Sequence, residues 1–345
     1  PNSTCTTSTK GNCSATVSTD QQVAERLIEI RANTFTRSTQ ADGSLDVAAD
    51  GRALVAWGSR RQEMGSYGIF AQLFDPLGRA LGTELHVNNY MPGGQLEPAV
   101  TFAPDGSAWV AWCSFGSQDG QDGGIFMRRL ATSTETGVFE AQGTDIQANA
   151  IGNGDQVDAT IIALKSGELV VSWMNSVKGV HQTYARVFSP EGKPLTGQFR
   201  LSQSEAGQES MPCLAPLDDS FIVAWARTEV DGKTPAGIYG RRFDAQGKPL
   251  TGEMVLHAKG GASSIEPSLD SNGMDHFALA WMSLNDSHEY QVNARSFDAS
   301  GSALSGTWTA EIGNEGGYRT GATVAMGTDG AYTVLFNQHG EMVFD

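Results

Sequence analysis

Apolar residues in this chain come in short runs that close on an aromatic residue. The runs are ALVAW ending at Trp57, AWVAW at Trp112, LVVSW at Trp173, FIVAW at Trp225, FALAW at Trp281 and YTVLF at Phe336. The phrase returns with a period of roughly 55 residues, the size of one supersecondary unit repeated along a chain. The fourth copy shows the whole unit. Residues 212–217 read as an inner strand, Asp218-Asp219-Ser220 as a turn, and 221–226 as a second strand apolar on both faces. A polar loop (227–236) leads to a third strand, GIYGRRF at 237–243. The turn Asp244-Ala245-Gln246-Gly247 and a fourth strand at 252–258 complete it. Four antiparallel strands per unit make a propeller blade, and six units predict an all-β, six-bladed β-propeller.

The sixth copy stops at Asp345 without a fourth strand. Arg26–Ile30 matches the fourth strands GTELHV and GEMVLH, so an N-terminal strand is expected to complete the last blade and close the ring. That places the propeller at residues 20–345 and leaves 1–19 as a Ser/Thr-rich tether. The hairpin turns repeat as well: Asp50-Gly51, Asp105-Gly106, Ser166-Gly167 and Asp329-Gly330. One carboxylate followed by Gly is turn chemistry, and no DxDxDG calcium loop occurs.

Composition agrees with many turns: 41 Gly, 18% charged and 8% aromatic residues. A net charge of −16 and a pI near 4.7 argue against nucleic acid and anionic membranes as partners. No apolar run reaches membrane-spanning length, so membrane insertion is not expected. The first residue is Pro, which suggests a processed chain or a segment of a longer one. Cys5 and Cys13 flank a short Ser/Thr/Gly stretch and suit a small disulfide loop in an oxidising compartment. Cys113 and Cys213 lie on strands and read as buried small hydrophobes. No Cys or His spacing fits zinc or haem. The expected location is extracellular, cell-surface or periplasmic.

The pattern VAW…GIYGRRFDAQGKPLTGE…P resembles Trp-containing propeller repeats found in tandem in large secreted bacterial proteins, among them surface and calcium-binding adhesin-like ones. The resemblance covers residues 20–345 and is specific for the repeat, not for an activity. The SxDxGxxW box of sialidases is absent, as are the paired signatures of WD40 and kelch blades.

Candidate chemistry sits where the repeat varies, on the second–third loops and the inter-blade connections. The connections carry Gln40-x-Asp42, Gln95-x-Glu97, Gln156-x-Asp158 and Ser264-x-Glu266, with Met211 breaking the fourth copy. Asp42, Glu97, Asp158 and Glu266 are candidate ligands for a cation such as Ca2+. Two of them are alternatively an acid/base pair, and the plainest reading has each accepting backbone N–H bonds between blades. His181, His288 and His339 fall on the variable loops, beside Arg60, Arg61 and Tyr67, a basic spot suited to an acidic glycan. The repeated Trp residues read as packing, whereas Trp109 and Trp308 are off-pattern candidates for exposed aromatics that stack on sugars. With no catalytic motif and no cofactor signature, the expectation is a non-enzymatic binding or assembly module of a bacterial surface structure, its partner a glycan, another surface protein or copies of itself. The alternatives are a polysaccharide lyase or glycoside hydrolase with its site at the channel mouth, and a purely structural subunit of an array.

Overall fold

The computed structural model describes residues 3–7, 13–17, 30–63, 66–120, 123–150, 153–204, 208–228, 236–258, 264–284, 290–313, 321–338 and 341–344. Among the described residues there is no helix, and the strands number 26. They divide into two compact units, residues 1–178 with 186–198, and residues 179–185 with 199–345.

In the first unit, β1 (Ser3–Thr7), β2 (Cys13–Val17) and β3 (Ile30–Arg31) form a three-stranded antiparallel sheet in that order. A four-stranded sheet follows from β4 (Gln40–Val47), β5 (Ala53–Arg60), β6 (Tyr67–Phe74) and β7 (Ala80–His86). Another contains β8 (Gln95–Phe102), β9 (Ala108–Ser114), β10 (Gly124–Thr132) and β11 (Phe139–Gln147). β12 (Asp155–Ala163), β13 (Leu169–Val177), β14 (Val180–Phe188) and β15 (Phe199–Arg200) make the next, and the division between units runs through its strands. The second unit continues with β16 (Gln208–Leu217), β17 (Ser220–Thr228), β18 (Gly237–Asp244) and β19 (Met254–Ala258). β20 (Ser264–Ser271), β21 (His276–Leu284), β22 (Tyr290–Asp298) and β23 (Trp308–Gly313) follow, then β24 (Thr323–Met326), β25 (Tyr332–Gln338) and β26 (Glu341–Phe344). β4 to β26 are thus six antiparallel sheets, each carrying one aromatic phrase on its second strand.

The second strands are apolar on both faces because each face meets a different sheet. Leu54 and Ala56 of β5 join a cluster with Val110 and Trp112 of β9. Val55 and Trp57, on the other face, pack with Ala32, Phe70 and Phe74. In the second unit Ile222 and Ala224 meet Leu279 and Trp281, and Ala278 and Ala280 meet Val334 and Phe336. Trp112, Trp281 and Phe336 therefore point their rings at the preceding sheet, and all five phrase Trp rings are fully buried.

An arginine in the third strand fastens neighbouring sheets. Arg128 Nη1 donates to the Val87 carbonyl (2.6 Å) and Arg186 Nη1 to that of Ala148 (3.2 Å). Arg241 Nη1 does the same to Leu201 (3.3 Å). The repeated Arg of GRRF is therefore a staple for a carbonyl that would otherwise lie buried without a donor. Burial pulls the pKa values of Arg128, Arg186 and Arg241 down, yet they remain cations.

Residues 1–19, read as a tether, include β1 and β2, with Cys5 opposite Ala15 and Cys13 opposite Thr7 along the backbone. The side chains of that hairpin, and with them the Cys5–Cys13 bridge, lie outside the described residues. Of the expected strand Arg26–Ile30, only Ile30 is described. It pairs with Ala15 of β2 and sits against the Gly78 turn, the place Ile146 of β11 takes against Gly192. Ile30 and Arg31 thus pair within the N-terminal sheet, and among the described residues the last sheet, β24 to β26, has three strands without β3.

Candidate functional site

Five of the six inner strands carry a bulge at the same repeat position. The register slips between Ala41 and Ser44, Leu96 and Ala99, Val157 and Thr160, Ser210 and Cys213, and Ile265 and Ser268. The residue at each slip is left-handed: Asp42 (φ 55°), Glu97 (53°), Asp158 (56°), Met211 (53°) and Glu266 (53°). Such a backbone costs a non-glycine residue on the order of 1 kcal/mol or more. A bulge re-aims its side chain out of the pleat, and here it turns a carboxylate along the row of inner strands.

In the first unit this makes a chain of side-chain-to-backbone bonds. The Asp42 carboxyl accepts the Glu97 N–H. Glu97 Oε2 accepts the Asp158 N–H at 3.1 Å. Further along the same face of β4, Ser44 Oγ accepts the Val100 N–H (3.2 Å) and Asp46 Oδ2 the Phe102 N–H (2.7 Å). Ser268 and Asp270 of β20 repeat this toward Val324 (3.2 Å) and Met326 (2.7 Å). Inner strands have one unpaired edge, and these oxygens satisfy its N–H groups. Burial first, and the charge of Glu97 second, push the Asp42 carboxyl up from its ordinary value, against the Glu97 N–H bond that lowers it. Burial also raises Asp46 despite the Phe102 and Val47 amides. Among the described residues no group of three or more His, Cys, Asp or Glu is placed to hold a metal ion. Glu266, in the second unit, leans on Gly321, where a Cβ would stand 3.3 Å from its Oε2.

The other candidates scatter. The Arg60 guanidinium lies 6.0 Å from the centre of the Tyr67 ring, its cross-strand partner. Arg61 is left-handed (φ 61°) and its N–H is bonded to Ser66 O at 3.0 Å, so it shapes the hairpin loop. His181 donates its backbone N–H to Gln208 Oε1 (2.6 Å). His288 and His339 lie outside the described residues. Trp109 corrects the expectation of an exposed aromatic: it is 1% exposed, and a Cβ on the turn residue Gly192 would stand 2.6 Å from its ring. Trp308 is half-buried against Phe336, ring centres 5.9 Å apart, and packs rather than projects.

One cluster escaped the sequence reading. In the fourth sheet Glu209 stands where Gln40, Gln95 and Gln156 stand in the first three, and Arg227 stands where Ser59, Ser114 and Asn175 do. Both are buried, and Arg227 Nη2 donates to Glu209 Oε1 at 3.1 Å. Arg227 also grips Glu253 through Nη1 (2.6 Å) and Nη2 (2.9 Å), and lies 4.1 Å over the Tyr239 ring. Glu209 Oε2 takes the N–H (3.2 Å) and hydroxyl (3.1 Å) of Thr183. The available signal was the pair of departures at fixed offsets from Met211 and Trp225.

No family model matches the sequence, and no curated protein does. Solved structures do match. A Dyadobacter fermentans protein of unknown function superposes with a TM-score of 0.56 at 12% identity, covering 88% of this chain and 93% of that one. The GH93 α-L-arabinofuranosidase of Fusarium graminearum, in complex with arabinobiose, gives 0.55 at 10% identity over 88% and 91%. Trypanosoma rangeli sialidase gives 0.52 at 13% identity, covering all of this chain and 59% of its own. At such identities the likeness speaks for the fold, and the fold is a β-propeller. It also corrects two expectations: the similar structures with a named activity are glycoside hydrolases, not adhesin-like repeats and not non-enzymatic binding or assembly modules.

Proposed function

We propose that this protein is a glycoside hydrolase that works from the exposed carboxylate Asp42 and the half-buried carboxylate Glu97, with Asp158 next in the row. The observation that carries the reading is their setting. Three carboxylates stand on consecutive bulges, each held in a left-handed backbone, and the first has its proton affinity raised by burial and by the second. Two neighbouring carboxyls with different environments divide into acid and base. Asp42 holds the proton that passes to the leaving glycosidic oxygen as the C–O bond breaks. Glu97 attacks the anomeric carbon or activates the water that does, and water supplies the new hydroxyl. The propeller fold shared with an arabinofuranosidase and a sialidase supports a glycan substrate. An extracellular or periplasmic setting goes with that substrate, with the acidic surface and with a Cys5–Cys13 bridge.

The test is turnover by the full chain of a panel of aryl glycosides and of arabino-, galacto- and sialo-oligosaccharides. At least one is expected to be cleaved, and Asp42→Asn and Glu97→Gln are each expected to lower kcat by about 10²–10⁴ with melting temperatures near wild type. A silent panel, or turnover indifferent to both changes, would sink the proposal.

A further inference from the structure

We infer that Cys113 is a positioning residue for Glu97, an inference that rests on the hydrolase reading above. Cys113 follows the second aromatic phrase. The equivalent positions are Gly58, Met174, Ala226 and Met282, so this is the copy that offers an S–H at that place. Its side chain is fully buried at the inner end of β9. Sγ lies 3.1 Å from Glu97 Oε2 and donates to it. The same oxygen receives the Asp158 N–H, also at 3.1 Å. The next amide of the β12 bulge, that of Ala159, donates to the Cys113 sulfur.

The arrangement fixes the thiol proton. With Ala159 N–H on one side of the sulfur, the S–H is turned toward Glu97. Two donors then converge on Oε2, which leaves Oε1 as the oxygen for chemistry. Burial, followed by the charge of Glu97, pushes the thiol well above its ordinary value, so it stays a donor across the working range. The matching position beside Asp42 is Gly58, which has no side-chain donor to give. Cys113 therefore distinguishes the two carboxylates: Glu97 has a thiol donor fixing its orientation, and Asp42 has none at the matching position. The role is orientation by a partner behind the reacting group; behind metal-ligating side chains the loss of such a partner costs about 10–100-fold.

The test compares Cys113→Ala with Cys113→Ser in the full chain, on whichever glycoside the wild type cleaves. Cys113→Ala is expected to lower kcat about ten-fold or more while KM changes little. Cys113→Ser retains a donor and is expected to recover most of that loss. Infrared spectra give a readout that does not depend on turnover: the S–H stretch assigned to Cys113 should move when Glu97 is changed to Ala. Wild-type kcat in Cys113→Ala, on a substrate that Glu97→Gln cannot cleave, overturns the positioning role and leaves the hydrolase reading intact. An unmoved S–H band overturns it as well. A wild type without turnover on any glycoside overturns the hydrolase reading, and the positioning role falls with it.

Discussion

Trp225 shows what a single residue does in this fold. Its ring is fully buried between sheets, beside Arg227 at 6.0 Å. Trp225→Ala is expected to cost about 3–5 kcal/mol, read by urea denaturation. Leu250→Ser, at an exposed turn position, should stay within about 0.5 kcal/mol. The aromatic phrase was legible as packing because it recurs in every unit at one place in the apolar pattern. Trp109 was not, because the sequence does not say that the turn at Gly192 lies over it. Of the two strand cysteines, Cys113 is buried as the sequence suggested and Cys213 is half-buried, and they carry a second prediction. Burial pushes the Cys213 thiol up to about 12. In native protein neither Cys113 nor Cys213 should react with a thiol reagent at mildly alkaline pH, and both should react once urea unfolds the chain. A fast native phase from either would contradict that burial. The sign for stability follows: the neutral thiol is favoured by folding. Its contribution is whole below the unfolded value of 9.0 and is lost as pH climbs toward about 12.

At the scale of the strand and sheet, the same backbone supports two polar solutions. The sheet holding Gln95 and Ser114 pairs a neutral amide with its phrase Trp, whose Nε1 donates to Gln95 Oε1 at 3.0 Å. The sheet of β16 to β19 substitutes the ion pair Glu209–Arg227. Removing one partner leaves the other charged and buried, so Arg227→Met should destabilise by about 3–5 kcal/mol. Glu209→Gln with Arg227→Ser restores the neutral pattern of the other sheets, and should recover a large part of that loss even though Glu253 gives up its partner. A double-mutant cycle in urea measures the coupling, and strictly additive effects would mean that the pair is not a unit. The inner-strand ladder gives a parallel case. Asp46→Asn keeps an acceptor for the Phe102 N–H and is expected to be tolerated, whereas Asp46→Ala leaves that amide without one, at about 1–3 kcal/mol. The repeated bulge explains why part of this was readable. A carboxylate at a fixed offset in successive copies suggests a shared backbone task, and Asp42 and Glu97 do accept the next bulge's amide. The left-handed backbone left only a partial trace in the sequence: Asp is enriched at positive φ, but Glu and Met, which take the same place in other copies, are not. Glu209 and Arg227 stayed hidden because each alone looks like an ordinary surface residue.

The whole chain carries a net charge of −16 with a pI near 4.7, and this sets how its stability should respond to pH and salt. Self-repulsion of a compact acidic body weakens it at neutral pH. Asp42 and Asp46 act in the same direction. Both are raised above 3.8, mainly by burial, so their contribution is whole below that value and is lost as pH rises through their folded values. Glu253 opposes them. Burial pulls it up, but its hydrogen bonds with Arg227 and the Arg227 charge outweigh that and hold it below 4.5. Its contribution therefore stands above 4.5 and is lost only as pH falls through its folded value. The turn carboxylates Asp75 and Asp298 are lowered too, yet they are exposed and add little. Between neutrality and the pI, then, falling self-repulsion favours acidification while the Glu253 pair is still intact. The melting temperature is expected to be higher near pH 5 than near pH 7. Raising salt from about 0.01 M to about 1 M, which shortens the screening length from ~30 to ~3 Å, should raise it at pH 7 and hardly move it near the pI. Melting curves at both pH values and both salt levels decide this. A melting temperature that falls from pH 7 to pH 5, or an equal salt effect at both, would show that self-repulsion does not govern stability here.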